Sequence, residues 1–218
     1  MCGRYALYGP IKRTPEHDRW FEDLDQFGSH YNIAPTQVCP VARLADAKQS
    51  LALLRWGLIP FWAKDPAIGN RLINARAESV AEKPAFRAAY RARRCLVPAS
   101  GFYEWKKVPR GKQPYYITSA DGSLLAFAGL WEQWQPAHGE PISSYTIITT
   151  DANAVVKQLH ERMPVILAPQ HYHQWLTAKD PRVVLRPCPP EMLAAYPVST
   201  AVNSPRNDDA ALVEPLPD

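Results

Sequence analysis

The sequence predicts an α+β fold: a single domain over residues 1–218, built on a bent, barrel-like, mostly antiparallel sheet flanked by helices. Three observations predict it. Strand-sized runs of β-branched and aromatic residues recur along the chain with helical stretches between them, but without the alternation of a βαβ repeat. Prolines number 22 in 218 residues, roughly double ordinary usage, which suits short strands and structured loops and opposes long helices. Hydrophobic residues make up 46% and charged residues 21%, enough apolar side chain for a well-buried core and too little charge for a disordered chain.

The elements follow in order. Cys2 to Tyr8 reads as a strand, closed by Gly9-Pro10. Thr14-Pro15 starts a helix, with Thr as N-cap and Pro in the first turn, running through Trp20, Phe21 and Leu24. Gln37 to Arg43 and Leu51 to Trp56 are strands, and Gly57 to Trp62 leaves the sheet as a stiff aromatic loop. Phe86 to Arg94 is helical: Phe86, Ala89 and Tyr90 share one side, and Arg87, Arg91 and Arg94 form a basic stripe on another. Short strands follow at Cys95–Val97, Phe102–Lys106, Tyr115–Thr118, Leu124–Leu130 and Tyr145–Thr150. Ala152–Leu159 reads as a brief helix, Pro164–Leu167 as a strand, Pro169–Leu176 as the last sizeable helix and Val198–Val202 as a late strand. The acidic, Pro-containing end after Asn207 is expected to be a loose tail.

Several function classes are set aside at once. No apolar stretch approaches the roughly 18 residues of a membrane span, and Met1-Cys2-Gly3-Arg4 leads into no signal-peptide core, so a cytoplasmic protein without a membrane partner is expected. The four cysteines, Cys2, Cys39, Cys95 and Cys188, show no paired spacing, which predicts neither a zinc site nor a disulfide framework. His160-Glu161-Arg162-Met163-Pro164 lacks the second histidine of a zinc protease motif, Ser100 lacks the glycine that precedes a nucleophile elbow, and no phosphate loop is present. No metal and no cofactor is expected.

The net charge of +4 is unevenly spread. Between Arg71 and Arg94 stand Arg71, Arg76, Lys83, Arg87, Arg91, Arg93 and Arg94 against only Glu78 and Glu82, and the chain as a whole prefers Arg to Lys. Such a segment is either a solvated helix face or, with seven tryptophans in the chain, one wall of a nucleic-acid groove.

Cys2 is the residue with distinctive chemistry. Removal of Met1 would make it the N-terminus, a 1,2-aminothiol. Its α-amine, with a pKa of about 7.7–8.0, is partly neutral near pH 7.4 and outcompetes any ordinary lysine as a carbonyl nucleophile. With an aldehyde it forms a Schiff base that the thiol closes to a five-membered thiazolidine. The same thiol could instead attack an amide, and a small buried residue opening a strand is the plain structural alternative.

Met1-Cys2-Gly3-Arg4, Tyr31-Asn32 with Ala34-Pro35-Thr36, Arg55-Trp56-Gly57-Leu58, Asn74-Ala75-Arg76-Ala77-Glu78, Arg94-Cys95-Leu96-Val97-Pro98 running into Gly101-Phe102-Tyr103-Glu104-Trp105, His160-x-Arg162-Met163-Pro164 and Val202-Asn203 through Asn207 occur in that order. Together they resemble the SOS response-associated peptidase family, over nearly the whole chain. The departures are Glu161, where many relatives carry Asp, and Phe61 in the aromatic loop.

The resemblance implies a sensor of abasic sites in single-stranded DNA, whose N-terminal cysteine joins the ring-opened deoxyribose in a thiazolidine crosslink that shields the lesion. It implies catalytic roles for Cys2, Asn74, Glu104 and His160, and DNA-binding roles for Arg4, Arg76, Arg162, Thr149, Trp105 and Trp62. It further implies a monomer that meets replication-fork proteins at the nucleoid during DNA damage, abasic-site lyase activity, and self-removal of Met1. Two other readings stay open: a thiol peptidase or N-terminal amidohydrolase using Cys2, and a non-covalent single-strand binding module.

Overall fold

The computed structural model describes residues 2–10, 12–45 and 48–217. It is α+β, with two mostly antiparallel sheets and short helices. Ordered along the chain, the strands are β1 (Tyr5–Leu7), β2 (His30–Ile33), β3 (Val38–Ala45), β4 (Lys48–Trp56), β5 (Asn74–Arg76), β6 (Arg94–Ala99), β7 (Gly101–Val108), β8 (Gly111–Ser119), β9 (Leu125–Trp134), β10 (Ile142–Asp151), β11 (Arg162–Pro164) and β12 (Leu193–Pro197). The α-helices among the described residues are α1 (Pro15–Phe21), α2 (Arg87–Ala92) and α3 (Tyr172–Thr177).

One sheet closes on itself. β10 pairs with β4, β4 with β3, β3 with β6, β6 with β9, and β9 returns to β10, so five strands form a barrel. Closure removes the open edges that a sheet otherwise exposes. The alternating and continuous apolar runs that predicted strands supply its filling: Leu54, Trp56, Leu96, Phe127, Leu130 and Tyr145 are fully buried or nearly so. The second sheet, in the order β12-β8-β7-β1-β2, is antiparallel throughout. It packs on the barrel through Phe102 against Phe127, with rings 5.8 Å apart and edge to face, and through Tyr5 against Trp56 at 5.2 Å. The Tyr5 and Tyr145 hydroxyls meet at 2.7 Å across the same seam.

β10 does more than close the barrel. Its first half pairs with β9, and its second half takes β5 in parallel on one side, Ile147 opposite Asn74 and Thr149 opposite Arg76, and β11 antiparallel, Asp151 opposite Arg162. Two short segments far apart in sequence are thereby laid at one end of a single strand.

The helix at Thr14-Pro15 starts as predicted, with the Thr14 hydroxyl accepting from the His17 amide and the His17 ring accepting from the Thr14 amide, but it ends at Phe21 and Leu24 opens a 3₁₀ turn instead. Other elements differ from expectation. The Phe86–Arg94 helix is shorter, because Arg94 opens β6 and buries its guanidinium on the carbonyls of Tyr90, Trp175, Leu176 and Ala178. Arg94 thus leaves the basic stripe, while Arg87 and Arg91 remain exposed. The Ala152–Leu159 helix shrinks to a 3₁₀ turn at Val156–Gln158, whose first amide is held by Asn153. The Pro164–Leu167 strand shifts to Arg162–Pro164. In place of a Val198–Val202 strand, β12 ends at Pro197 and Ser199 caps a 3₁₀ turn over Thr200–Asn203. The end after Asn207 is docked rather than loose: Asp208 accepts from the Tyr31 and Asn32 amides, and Leu212 is buried.

Candidate active site and nucleic-acid interface

The residues leading into β1 run alongside β7, with the Tyr103 amide donating to the Arg4 carbonyl at 3.0 Å. Continuing that register two residues back brings Cys2 to the level of Glu104 and Trp105. Cys2 is fully buried and belongs to the main apolar core. Burial drives its thiol far above the ordinary range, and the neighbouring Glu104 carboxylate pushes the same way.

Glu104 alternates with Tyr103 and Trp105 on β7, so it points to the barrel side of the sheet, as Phe102 does. It is only 3% exposed, and burial raises its pKa while His160 opposes the rise. Asn74, on β5, donates its Nδ2 to the Cys2 carbonyl at 2.7 Å. Its Oδ1 is buried without a hydrogen-bond partner among the described residues. His160 immediately precedes β11, and its Nδ1 accepts from the Arg162 amide at 2.9 Å. In the neutral ring that bond assigns the proton to Nε2. Cys2, Asn74, Glu104 and His160 therefore converge from four separate segments. The double use of β10 is what brings the β5 and β11 segments together.

The expected DNA-binding residues divide. Arg76 is exposed and lies two positions beyond Asn74, on the same side of β5. Trp105 is half-buried, with Nε1 on the Asn203 side chain at 2.7 Å. Trp62 is 48% exposed and Phe61 58%, on the loop after β4, with the Trp62 indole donating to the Pro84 carbonyl at 3.4 Å. Arg4 is more committed: one of its nitrogens donates to Asn32 Oδ1 at 2.7 Å and to the Val202 carbonyl at 2.8 Å. Arg162 forms a fork with Glu78, at 2.6 and 2.9 Å, and also meets Asp151 at 2.7 Å and the Thr149 carbonyl at 2.7 Å. Thr149 does not line an open groove. Its side chain is fully buried, and its hydroxyl faces the Ala75 carbonyl where β5 joins β10.

Sequence reasoning assigned no role to Asn32, and the structure makes it a hub. Asn32 is buried, accepts from Arg4, and donates to the carbonyls of Val202, Ser204 and Asn207. It ties Arg4 to the docked C-terminal segment. The signal was present in the pairing of a polar Tyr31-Asn32 stretch with a polar Asn203-to-Asn207 stretch, but a contact across 170 residues is not readable from either alone.

The family model described as SOS response associated peptidase (SRAP) matches residues 1–205. The chain belongs to the SRAP family. Among relatives of this SRAP chain, the abasic site processing protein YoaM of Bacillus subtilis is 42% identical over 98% of both chains. The abasic site processing protein HMCES of Xenopus tropicalis is 34% identical, covering 95% of this SRAP chain and 76% of the relative. A solved structure from Bacteroides thetaiotaomicron superposes with a TM-score of 0.83 at 26% identity, over 99% of this SRAP chain and all of the other. One from Bordetella bronchiseptica gives 0.74 at 28% identity, over 91% and 100%. No helix among the described residues of this SRAP chain is long and apolar enough to cross a membrane.

Proposed function

We propose that the protein senses abasic sites in single-stranded DNA and captures them covalently through Cys2 once Met1 has been removed. The observation that carries this reading is the convergence of Cys2, Asn74, Glu104 and His160 from four segments of the chain. The naming of relatives at 42% and 34% identity as abasic site processing proteins supports the substrate.

The chemistry runs in balanced steps. Glu104, a buried carboxyl whose pKa burial raises, is suited to hold and pass on a proton. It assists opening of the deoxyribose ring by taking the proton of the sugar's anomeric hydroxyl and delivering it to the ring oxygen, exposing the C1′ aldehyde. The neutral Cys2 amine adds to C1′ and passes a proton to the new alkoxide; protonated Glu104 then gives that hydroxyl its second proton, so that water leaves and a protonated Schiff base remains, with the Nε2–H of His160 hydrogen-bonding the departing oxygen. The Cys2 sulfur then bonds to C1′ as the thiol proton returns to the Glu104 carboxylate, and the C=N pair moves onto nitrogen to leave the single C–N bond of the thiazolidine. The sum is aldehyde plus aminothiol to thiazolidine plus one water. Asn74 fixes the Cys2 carbonyl and offers its unpartnered Oδ1 to the amine or a sugar hydroxyl without adding charge. Exposed Phe61 and Trp62 suit stacking on unpaired bases, which favours single strands.

A thiol peptidase requires a thiolate at working pH. Burial and Glu104 push the Cys2 thiol in the opposite direction, which favours attack by the amine first and sulfur second.

The test is a denaturing gel of protein, shown by intact mass to lack Met1, mixed with single-stranded oligonucleotide carrying one abasic site or the undamaged base. A shifted band that survives boiling, requires the lesion and disappears in Cys2→Ser is expected. Turnover of unrelated peptides without any DNA adduct would establish the peptidase instead, and binding indifferent to the lesion would establish a non-covalent module.

A further inference from the structure

The hairpin joining β7 and β8 carries a charge that the capture chemistry does not use. Residues 106–112 include Lys106, Lys107, Arg110 and Lys112, four cations in seven positions with no carboxylate. All four side chains are exposed, and none has an ion-pair partner among the described residues. Lys107 and Lys112 stand directly opposite each other in the strand register. Facing like charges destabilise a hairpin unless something anionic lies between or beside them. The tip is a tight turn: Pro109 fixes its own φ, and Gly111 turns the chain at a φ of 102° that L side chains rarely adopt. The cations are therefore held on a short, strand-paired rod.

That rod begins at the reactive centre. Lys106 shares a face of β7 with Glu104, and Lys107 shares the other face with Trp105. Four residue steps lead from Glu104 to Val108, about 13 Å at the rise of an extended strand. At about 3.4 Å per stacked nucleotide that distance spans roughly four nucleotides.

We propose that the β7–β8 hairpin is a second binding element for the phosphate backbone of the same DNA strand, gripping one flank about two to four nucleotides from the captured sugar. The proposal rests on the single-strand reading above and names a contact region outside the Arg71–Arg94 segment.

The experiment uses the full chain and an undamaged, dye-labelled single-stranded oligonucleotide, with affinity read by fluorescence anisotropy against salt. Each phosphate contact to a single strand adds about 0.7 to the slope of log affinity on log salt. The variant Lys107→Gln/Arg110→Gln/Lys112→Gln should lower that slope by about 2, so that its loss of affinity between 50 and 200 mM salt is roughly 20-fold smaller than that of wild type. In crosslinking assays wild type should weaken when one flank of the lesion is trimmed below about four nucleotides, and the variant should be indifferent to that trimming. Unfolding temperature monitors the fold, and the single variant Lys107→Glu, on an exposed position, replaces the triple variant if the latter unfolds. An unchanged slope, an unchanged response to both flanks, or equal competition by an acidic polypeptide would overturn the proposal. Because the strand is undamaged, binding does not depend on Cys2: wild type that binds with the predicted slope but never crosslinks overturns the capture reading alone. Wild type with no affinity for single strands overturns the hairpin.

Discussion

Glu104 combines deep burial in a β-strand with a position beside the Cys2 thiol, and this gives it a measurable signature in pH. Burial raises its folded pKa above the ordinary 4.5, so the folded state holds a proton that the unfolded chain has already released. As pH rises above about 4.5, stability contributed by this residue falls, and it keeps falling until the folded carboxyl itself ionises. Glu104→Gln should accordingly unfold a few degrees higher than wild type at neutral pH, with the gap closing below pH 4.5, as calorimetry across pH 4 to 8 can read. The same variant should slow capture by about 10²- to 10⁴-fold, the usual contribution of a positioned proton-transfer group, in a single-turnover crosslinking assay. A stable Glu104→Gln that captures at the wild-type rate would remove Glu104 from the chemistry. At this scale the sequence was informative about identity and silent about state. The position of Cys2 beside Met1 suggested the aminothiol chemistry proposed above, but that the thiol is buried against a carboxylate depends on β1 running beside β7, which no local pattern encodes.

Among the elements, the loop after β4 shows how a single backbone position supports a surface feature. Gly57 has a φ of 114°, and a Cβ there would lie 2.5 Å from the Gly69 carbonyl oxygen. Gly57→Ala should cost at least about 1–2 kcal/mol and displace the loop bearing Phe61 and Trp62. Chemical denaturation should show the loss, and single-strand affinity should fall with it. The β2 hub makes a second prediction. Asn32→Ala strips Arg4 of one acceptor, removes the Asn32 donor from the Ser204 and Asn207 carbonyls, and leaves Val202 only its bond from Arg4, with an expected cost of about 2–4 kcal/mol in urea unfolding. Element existence was largely legible: the N-cap at Thr14 and the strands from Arg94 to Asp151 follow from turn residues and β-branched runs. Boundaries failed where tertiary hydrogen bonds decided them. Arg94 looked like the last turn of a basic helix because charge and spacing are local properties. The four carbonyls that pull its guanidinium inward come from Tyr90 and from the far-off 175–178 segment.

For the whole molecule, the C-terminal segment marks the largest departure from expectation. Its acidic, Pro-containing composition resembles a solvated tail, yet Asp208 caps two β2 amides and Leu212 is buried. A chain ending after Asn207 should therefore lose at least about 2 kcal/mol from Leu212 alone, and melt several degrees lower; an unchanged melting temperature would restore the tail to its expected status. The α+β class with a barrel-like, mostly antiparallel sheet was readable from proline usage and the lack of a βαβ rhythm, whereas the second sheet was not. The particular strand pairs were not readable, because the barrel closes through β10 pairing in parallel with β4, a segment some 90 residues earlier.

That pairing has a consequence for timing. Asn74 is brought to Cys2, and His160 to Glu104, only through the second half of β10 and through β11, so this cluster is incomplete until about residue 164 has left the ribosome. At roughly 5–20 residues per second, synthesis from Cys2 to that point lasts roughly 8–30 s. Pairings so distant along the chain also form slowly, on the millisecond-to-second scale of sheet proteins. A nascent or prematurely terminated chain carries Cys2 without Asn74 and His160 held at its end of the sheet. On the capture reading proposed above, aldehydes of ordinary metabolism would then meet only an unassisted aminothiol during translation, and reactivity would switch on as a late event of folding.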